Sequence, residues 1–70
     1  MSYSKLRGKI REVFGTQEAF ADAMGMSKGG LSMRLNNKVK WTLDEVTKAV
    51  DLLKIEDHEI PAYFFTPKVR

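Results

Sequence analysis

The sequence predicts an all-α fold of four to five short helices, and three observations predict it. Apolar residues recur at helical spacing along almost the whole chain, with no convincing period-two alternation. Glycines stand where two of these stripes end, at Gly15 and Gly25. Hydroxyl side chains stand just ahead of stripes, at Ser4, Thr16, Ser27 and Thr42, where they can accept from orphan helix amides.

Taken in order, Ser4 is the expected cap of a first helix running to about Phe14, with Leu6, Ile10 and Val13 facing inward. Gly15 ends it and Thr16 caps a second, in which Phe20, Ala21 and Met24 form the buried stripe. After Gly25 and Met26, Ser27 caps a third helix to about Asn36, anchored by Leu31 and Leu35. Thr42-Leu43-Asp44-Glu45 reads as a capping box, with Trp41 placed to pack on Val46 as a hydrophobic staple. The fourth helix then runs to about Leu53, burying Leu43, Val46, Val50 and Leu53. A fifth, short helix is expected between Asp57 and Phe65, with Pro61 tolerated only in its first turn. Residues 66–70 are expected to fray.

Seventy residues are read as one domain, with too little chain for a second. There is no cysteine, so disulfides and thiolate metal sites are excluded, as suits a reducing cytoplasm. No apolar run is long enough to span a membrane, and the start, MSYSKLRGKI, lacks the apolar core of a secretory signal. The expected location is therefore the cytoplasm.

The net charge of +3 conceals a block pattern. Residues 26–41 carry Lys28, Arg34, Lys38 and Lys40 with no acid, whereas residues 42–60 hold six acids against two lysines. A basic block of +4 beside an acidic one of −4 is either a solvated surface of uneven composition or an electrostatic footprint for a charged partner.

Catalysis finds little support. The one histidine, His58, stands among Glu56, Asp57 and Glu59 without diagnostic metal-ligand spacing, so no metal site is expected. Lys28-Gly29-Gly30 follows no strand and lacks the pattern of a phosphate-binding loop. Asp44 and Glu45 are accounted for by capping, and no nucleophile has a base partner. We therefore expect no enzyme, no cofactor and no small-molecule substrate.

The specific signal lies between Gln17 and Lys38, QEAFADAMGMSKGGLSMRLNNK. Two short helices crossing steeply need a small residue at the crossing, supplied by Ala21, and positive φ at the turn, supplied by Gly25. Phe20, Met24, Met26 and Leu31 are placed to interlock across that turn. The segment of about residues 17–36 resembles a helix-turn-helix, and with two helices behind it the chain resembles the Cro/CI-type, lambda-repressor-like DNA-binding family. The wider wording, YSKLRGKI…FGTQ…LSMRLN…W…YFFTP, is similar to small phage-encoded regulators of the lysis–lysogeny switch in Gram-positive hosts. Some of these are Cro-like DNA binders, and others are modulators of repression that bind the phage repressor itself.

The resemblance implies two functions. In the first, the chain binds operator DNA in a bacterial host cell. Gln17 then faces a phosphate, and Lys28, Gly29, Ser32 and Met33 occupy the positions that read bases. Arg34, Asn36, Lys38 and Lys40 complete the phosphate footprint. Phosphate contacts by the four cations of the +4 block, Lys28, Arg34, Lys38 and Lys40, would give a log–log salt slope of roughly −3 to −4. In the alternative, an anti-repressor docks on a repressor protein through Lys28, Gly29, Gly30 and Met33. Two features set these apart. The face opposite Leu31 and Leu35 is centred on Met33 and flanked by Gly29 and Gly30, which offers few donor or acceptor forks for base edges. Arg34 also occupies a place where the family commonly has an apolar residue. Tyr63, Phe64 and Phe65 are expected to close the core against Leu6 and Ile10, with a homodimer contact as their other use.

Overall fold

The structure, a computed structural model, describes residues 3–64. Its helices are α1 (Ser4–Phe14), α2 (Gln17–Met24), α3 (Lys28–Leu35), α4 (Leu43–Leu53) and α5 (Ile60–Phe64), with a single 3₁₀ turn over Asp57–Glu59. The described residues contain no strand. The expected caps of three helices form: the Thr16, Ser27 and Thr42 hydroxyls accept from the amides of Ala19, Gly30 and Glu45. Thr42 and Glu45 close both halves of the capping box. Each bond satisfies one amide that a helix start would otherwise leave open.

α1 packs on α2, α4 and α5, and α2 packs on α3 and α4. Phe20 of α2, Leu6 and Ile10 of α1, Leu31 and Leu35 of α3, and Leu53 of α4 are fully buried where these elements meet. Ala21 is buried between α2 and its neighbours, the small residue the close crossing requires. Tyr63 and Phe64 close the core from the C-terminal side, which uses their surface within the chain and leaves little of it for a dimer contact. Phe65 and the expected fraying of residues 66–70 lie outside the described residues.

Four expectations are corrected. Ser4 is the first residue of α1 rather than its cap; Tyr3 holds the cap position and makes no side-chain capping bond. Burial of the Tyr3 ring, edge-on to Trp41 at 6.4 Å between centroids, brings the chain start onto the core. Val13 is 43% exposed, because Phe14 takes the last inward place on α1 and packs on Phe20 at 5.2 Å. Leu43 is 78% exposed, because Trp41, two residues earlier, fills the core beneath the cap and Ala49 carries the buried face of α4 onward. The single helix expected between Asp57 and Phe65 is a 3₁₀ turn followed by α5, with Pro61 in the first turn of α5. There its missing N–H removes no helical bond.

Candidate functional site

The turn between α2 and α3 is built by two backbone bonds around Gly25, whose φ is +76°. The Met26 amide donates to the Ala21 carbonyl and the Gly25 amide to that of Asp22, the paired closure of a left-handed helix stop. A side chain at Gly25 would be strained whatever the space around it. This turn orients α3 so that Leu31 and Leu35 face inward while Lys28, Gly29 and Met33 face solvent, Met33 with 48% of its surface exposed.

The +4 block does not reach that outer face intact. The Arg34 Nε and Nη2 atoms donate to the two carboxylate oxygens of Glu45 on α4, each at 2.9 Å, and Nη1 donates to the Gly30 carbonyl at 2.9 Å. Glu45 is the same residue whose carboxylate accepts from the Thr42 amide in the capping box. The hydrogen bond from the Arg34 guanidinium holds the Glu45 carboxyl below its ordinary range, against the opposing effect of burial. The same pairing raises Arg34. Arg34 therefore lies along the helix surface with its charge matched, as a strut between α3 and α4.

Gly30 explains itself through that strut. A Cβ there would stand 3.1 Å from the Ser27 hydroxyl that caps α3 and 3.4 Å from Arg34 Nη1. Gly29 differs: a Cβ there would meet nothing within 4 Å. A side chain at position 30 would press on the Ser27 cap and the Arg34 guanidinium, whereas position 29 is open to the outside.

Asn36 is exposed, but its amide is held by hydrogen bonds within the chain. Its Nδ2 donates to the Ser32 carbonyl at 2.9 Å and to the Ser32 hydroxyl at 3.3 Å, while its Oδ1 accepts from Arg7 Nη2 at 2.9 Å. Arg7 Nη2 also donates to the Leu35 carbonyl at 3.0 Å. A cation from α1 thus caps the C-terminus of α3, where the helix dipole is negative. Lys38 and Lys40 are exposed in the loop beyond. Gln17 opens α2 beside a cleft of about 260 Å³ bordered by Arg7, Arg11 and Thr16. Of the predicted site residues, Lys28, Gly29, Met33, Lys38 and Lys40 remain outward, Ser32 and Gln17 are half-buried, Arg34 is half-buried and paired with Glu45, and Asn36 is exposed with its amide hydrogen-bonded to Ser32 and Arg7.

Two functional contributions escaped sequence reasoning: Arg7 as the cap of α3 and Glu45 as the partner of Arg34. For the second there was a signal, a glycine four residues before an arginine in a helix otherwise short of apolar anchors. Among the described residues no group of three or more His, Asp or Glu side chains is placed to hold a metal ion, and no helix is long and apolar enough to cross a membrane.

Residues 1–67 match the family described as "Protein of unknown function (DUF739)". The chain belongs to the DUF739 family. A solved structure similar to this DUF739 chain is the solution structure of the modulator of repression (MOR) of the temperate bacteriophage TP901-1 from Lactococcus lactis. The two share 51% identity and superpose with a TM-score of 0.83, over 99% of this chain and 93% of that one. No curated protein matches the chain. The all-helical fold of the described residues is thus that of a small phage regulator.

Proposed function

We propose that this DUF739 chain is a regulator of a phage genetic switch that acts by binding a repressor protein in the cytoplasm of the host. The observation that carries this reading is the Arg34–Glu45 pair. The basic block's one arginine is held along the helix by a carboxylate, so the outward face of α3 lacks a guanidinium fork for bases or phosphates. What faces out instead is Gly29, open to solvent, and the flexible, half-exposed Met33. With Lys28 and Gly30 at its border, that face suits close approach by another protein's backbone. The 51% identity to a protein titled a modulator of repression supports the same reading.

Operator binding is the second reading, and the exposed Lys28, Lys38 and Lys40 favour it, together with Gln17 beside the Arg7–Arg11 cleft. Gel retardation separates the two. The chain alone is expected to leave operator DNA unshifted at physiological salt, while abolishing the shift that the repressor encoded in the same genome produces. Retardation by the chain alone, with the repressor's own shift intact, overturns the proposal in favour of operator binding.

A further inference from the structure

A concavity lies away from α3's outer face, along the solvent flank of α4 and the turn that follows it. It is an open groove of about 750 Å³, with Val50 and Ile55 as its apolar floor and Asp44, Asp51 and Asp57 along its edges. Among the described residues none of these three carboxylates has an ion-pair partner. Of the two lysines that also line the groove, Lys48 leans toward the α2–α3 turn, its ammonium 3.8 Å from where a Cβ on Gly25 would stand.

The helical wheel extends this groove. At about 100° per residue, Leu43, Thr47 and Val50 fall on one strip of α4 roughly 60° wide, with Asp44 and Asp51 bordering it. Leu43, the most exposed large apolar side chain among the described residues, therefore stands at the head of the strip that leads into the groove. An apolar anchor beside unpaired carboxylates fits a partner helix that carries leucine-like side chains flanked by Lys or Arg.

The molecule's charge layout supports that occupant. With Glu45 matched by Arg34, residues 42–60 keep Asp44, Asp51, Glu56, Asp57 and Glu59 against Lys48 and Lys54, whereas the α3 side keeps Lys28, Lys38 and Lys40. A cationic surface is drawn to the α4 side and repelled from the α3 side, so the two faces sort an approaching partner by orientation. Any protein that holds DNA presents such a cationic surface.

We infer that the α4 flank, from Leu43 through Asp44, Val50 and Asp51 to Asp57, is a docking surface for the cationic, apolar-anchored surface of the repressor. This rests on the reading of the chain as a repressor-binding protein. It adds a contact of opposite sign to the face over Gly29 and Met33.

The test uses the full chain and the full-length repressor encoded in the same genome. Titration of that repressor into ¹⁵N-labelled chain is expected to move the amides of residues 43–57. D51K/D57K is expected to weaken binding at least tenfold and L43S several-fold, while E12K/E18K, which makes the same charge change elsewhere, leaves affinity within twofold. Circular dichroism melts establish that each variant is folded; the shift map of the unaltered chain needs no variant. Tight binding with shifts confined to α3, and indifference to D51K/D57K, overturns this surface while leaving repressor binding intact. Absence of any binding by the unaltered chain overturns both.

Discussion

Arg34 and Glu45 lie on consecutive helices and meet in a two-bond fork, with both donor–acceptor distances at 2.9 Å and side chains only 19% and 22% exposed. The fork ties the recognition-type helix to the capping box of the next, because Glu45 also accepts from the Thr42 amide. Removing Glu45 therefore deletes an ion pair and half of a cap together. E45A is expected to destabilise the fold by about 1–3 kcal/mol, and R34A by about 1 kcal/mol, since Glu45 keeps its Thr42 bond in that variant. In a domain of this size each kcal/mol moves the melting temperature by about 4–8 °C. Thermal melts of the two variants check the order; R34A falling further than E45A would sink it.

The pair also sets a pH dependence. Glu45 is held below its ordinary value of 4.5, first by the Arg34 hydrogen bond. A carboxyl whose folded value is depressed contributes stability that is fully present above its unfolded value and is lost as pH falls through the folded one. Melting temperatures of the parent and of E45Q are expected to differ by a constant amount from pH 7 down to about 5 and to converge in acid below about 4. A difference that persists undiminished at pH 2 would show that protonation of Glu45 is not what is lost.

The two adjacent glycines of α3 give a contrast within one turn of helix. G29A places its methyl in open space and is expected to stabilise the chain by about 0.5–1 kcal/mol through helix propensity. G30A gains the same propensity term but crowds the Ser27 cap at 3.1 Å and the Arg34 guanidinium at 3.4 Å. It is expected to be neutral or destabilising, read from paired thermal melts. In binding, G29A is the more informative change, because its methyl stands on the face where a partner's backbone would approach.

Most of the scaffold was legible because local signals agreed. Thr16, Ser27 and Thr42 cap the helices they precede, and Gly15 and Gly25 close the ones they follow. The end of α4 carried no such mark. Lys54 takes the left-handed position with φ +57°, and the Ile55 amide bonds back to the Val50 carbonyl, so a lysine does what glycine usually does. The candidate site was legible in composition and less so in direction. Nothing local marks Arg34 and Asn36 as engaged, because their partners, Glu45 and Arg7, are 11 and 29 residues away. Periodicity places residues on a face; it does not tell where a long side chain folds back.

The same redirection changes the expected behaviour toward DNA. With Arg34 matched, the basic block offers Lys28, Lys38 and Lys40, and its contribution to the log–log salt slope of any residual DNA binding is roughly −2.7 rather than −3.6. R34A is expected to leave that slope unchanged at low salt, whereas K38A makes it shallower by about 0.9. Equal effects of R34A and K38A in a salt titration by fluorescence anisotropy would mean that Arg34 leaves Glu45 to reach phosphate.

Arg7 governs how the end of α3 is held rather than what that helix touches. One nitrogen, Nη2, donates to the Leu35 carbonyl at 3.0 Å and to Asn36 Oδ1 at 2.9 Å, which fixes the end of α3 to α1. Beyond it the chain passes through Asn37, with φ +63°, before reaching Lys38. R7A leaves a helix C-terminus without its cation and is expected to cost about 1 kcal/mol. R7K keeps the charge but loses the reach of the planar guanidinium, so it is expected to recover at most half of that. The local signature is exchange of the amides that close this helix end, Asn36 donating to Ser32, and Lys38 donating to Met33 at 2.8 Å. In R7A these two amides are expected to exchange with solvent faster than those of α2, by more than global destabilisation accounts for. Uniform acceleration over all helices would instead make Arg7 a general contributor to stability with no particular hold on α3.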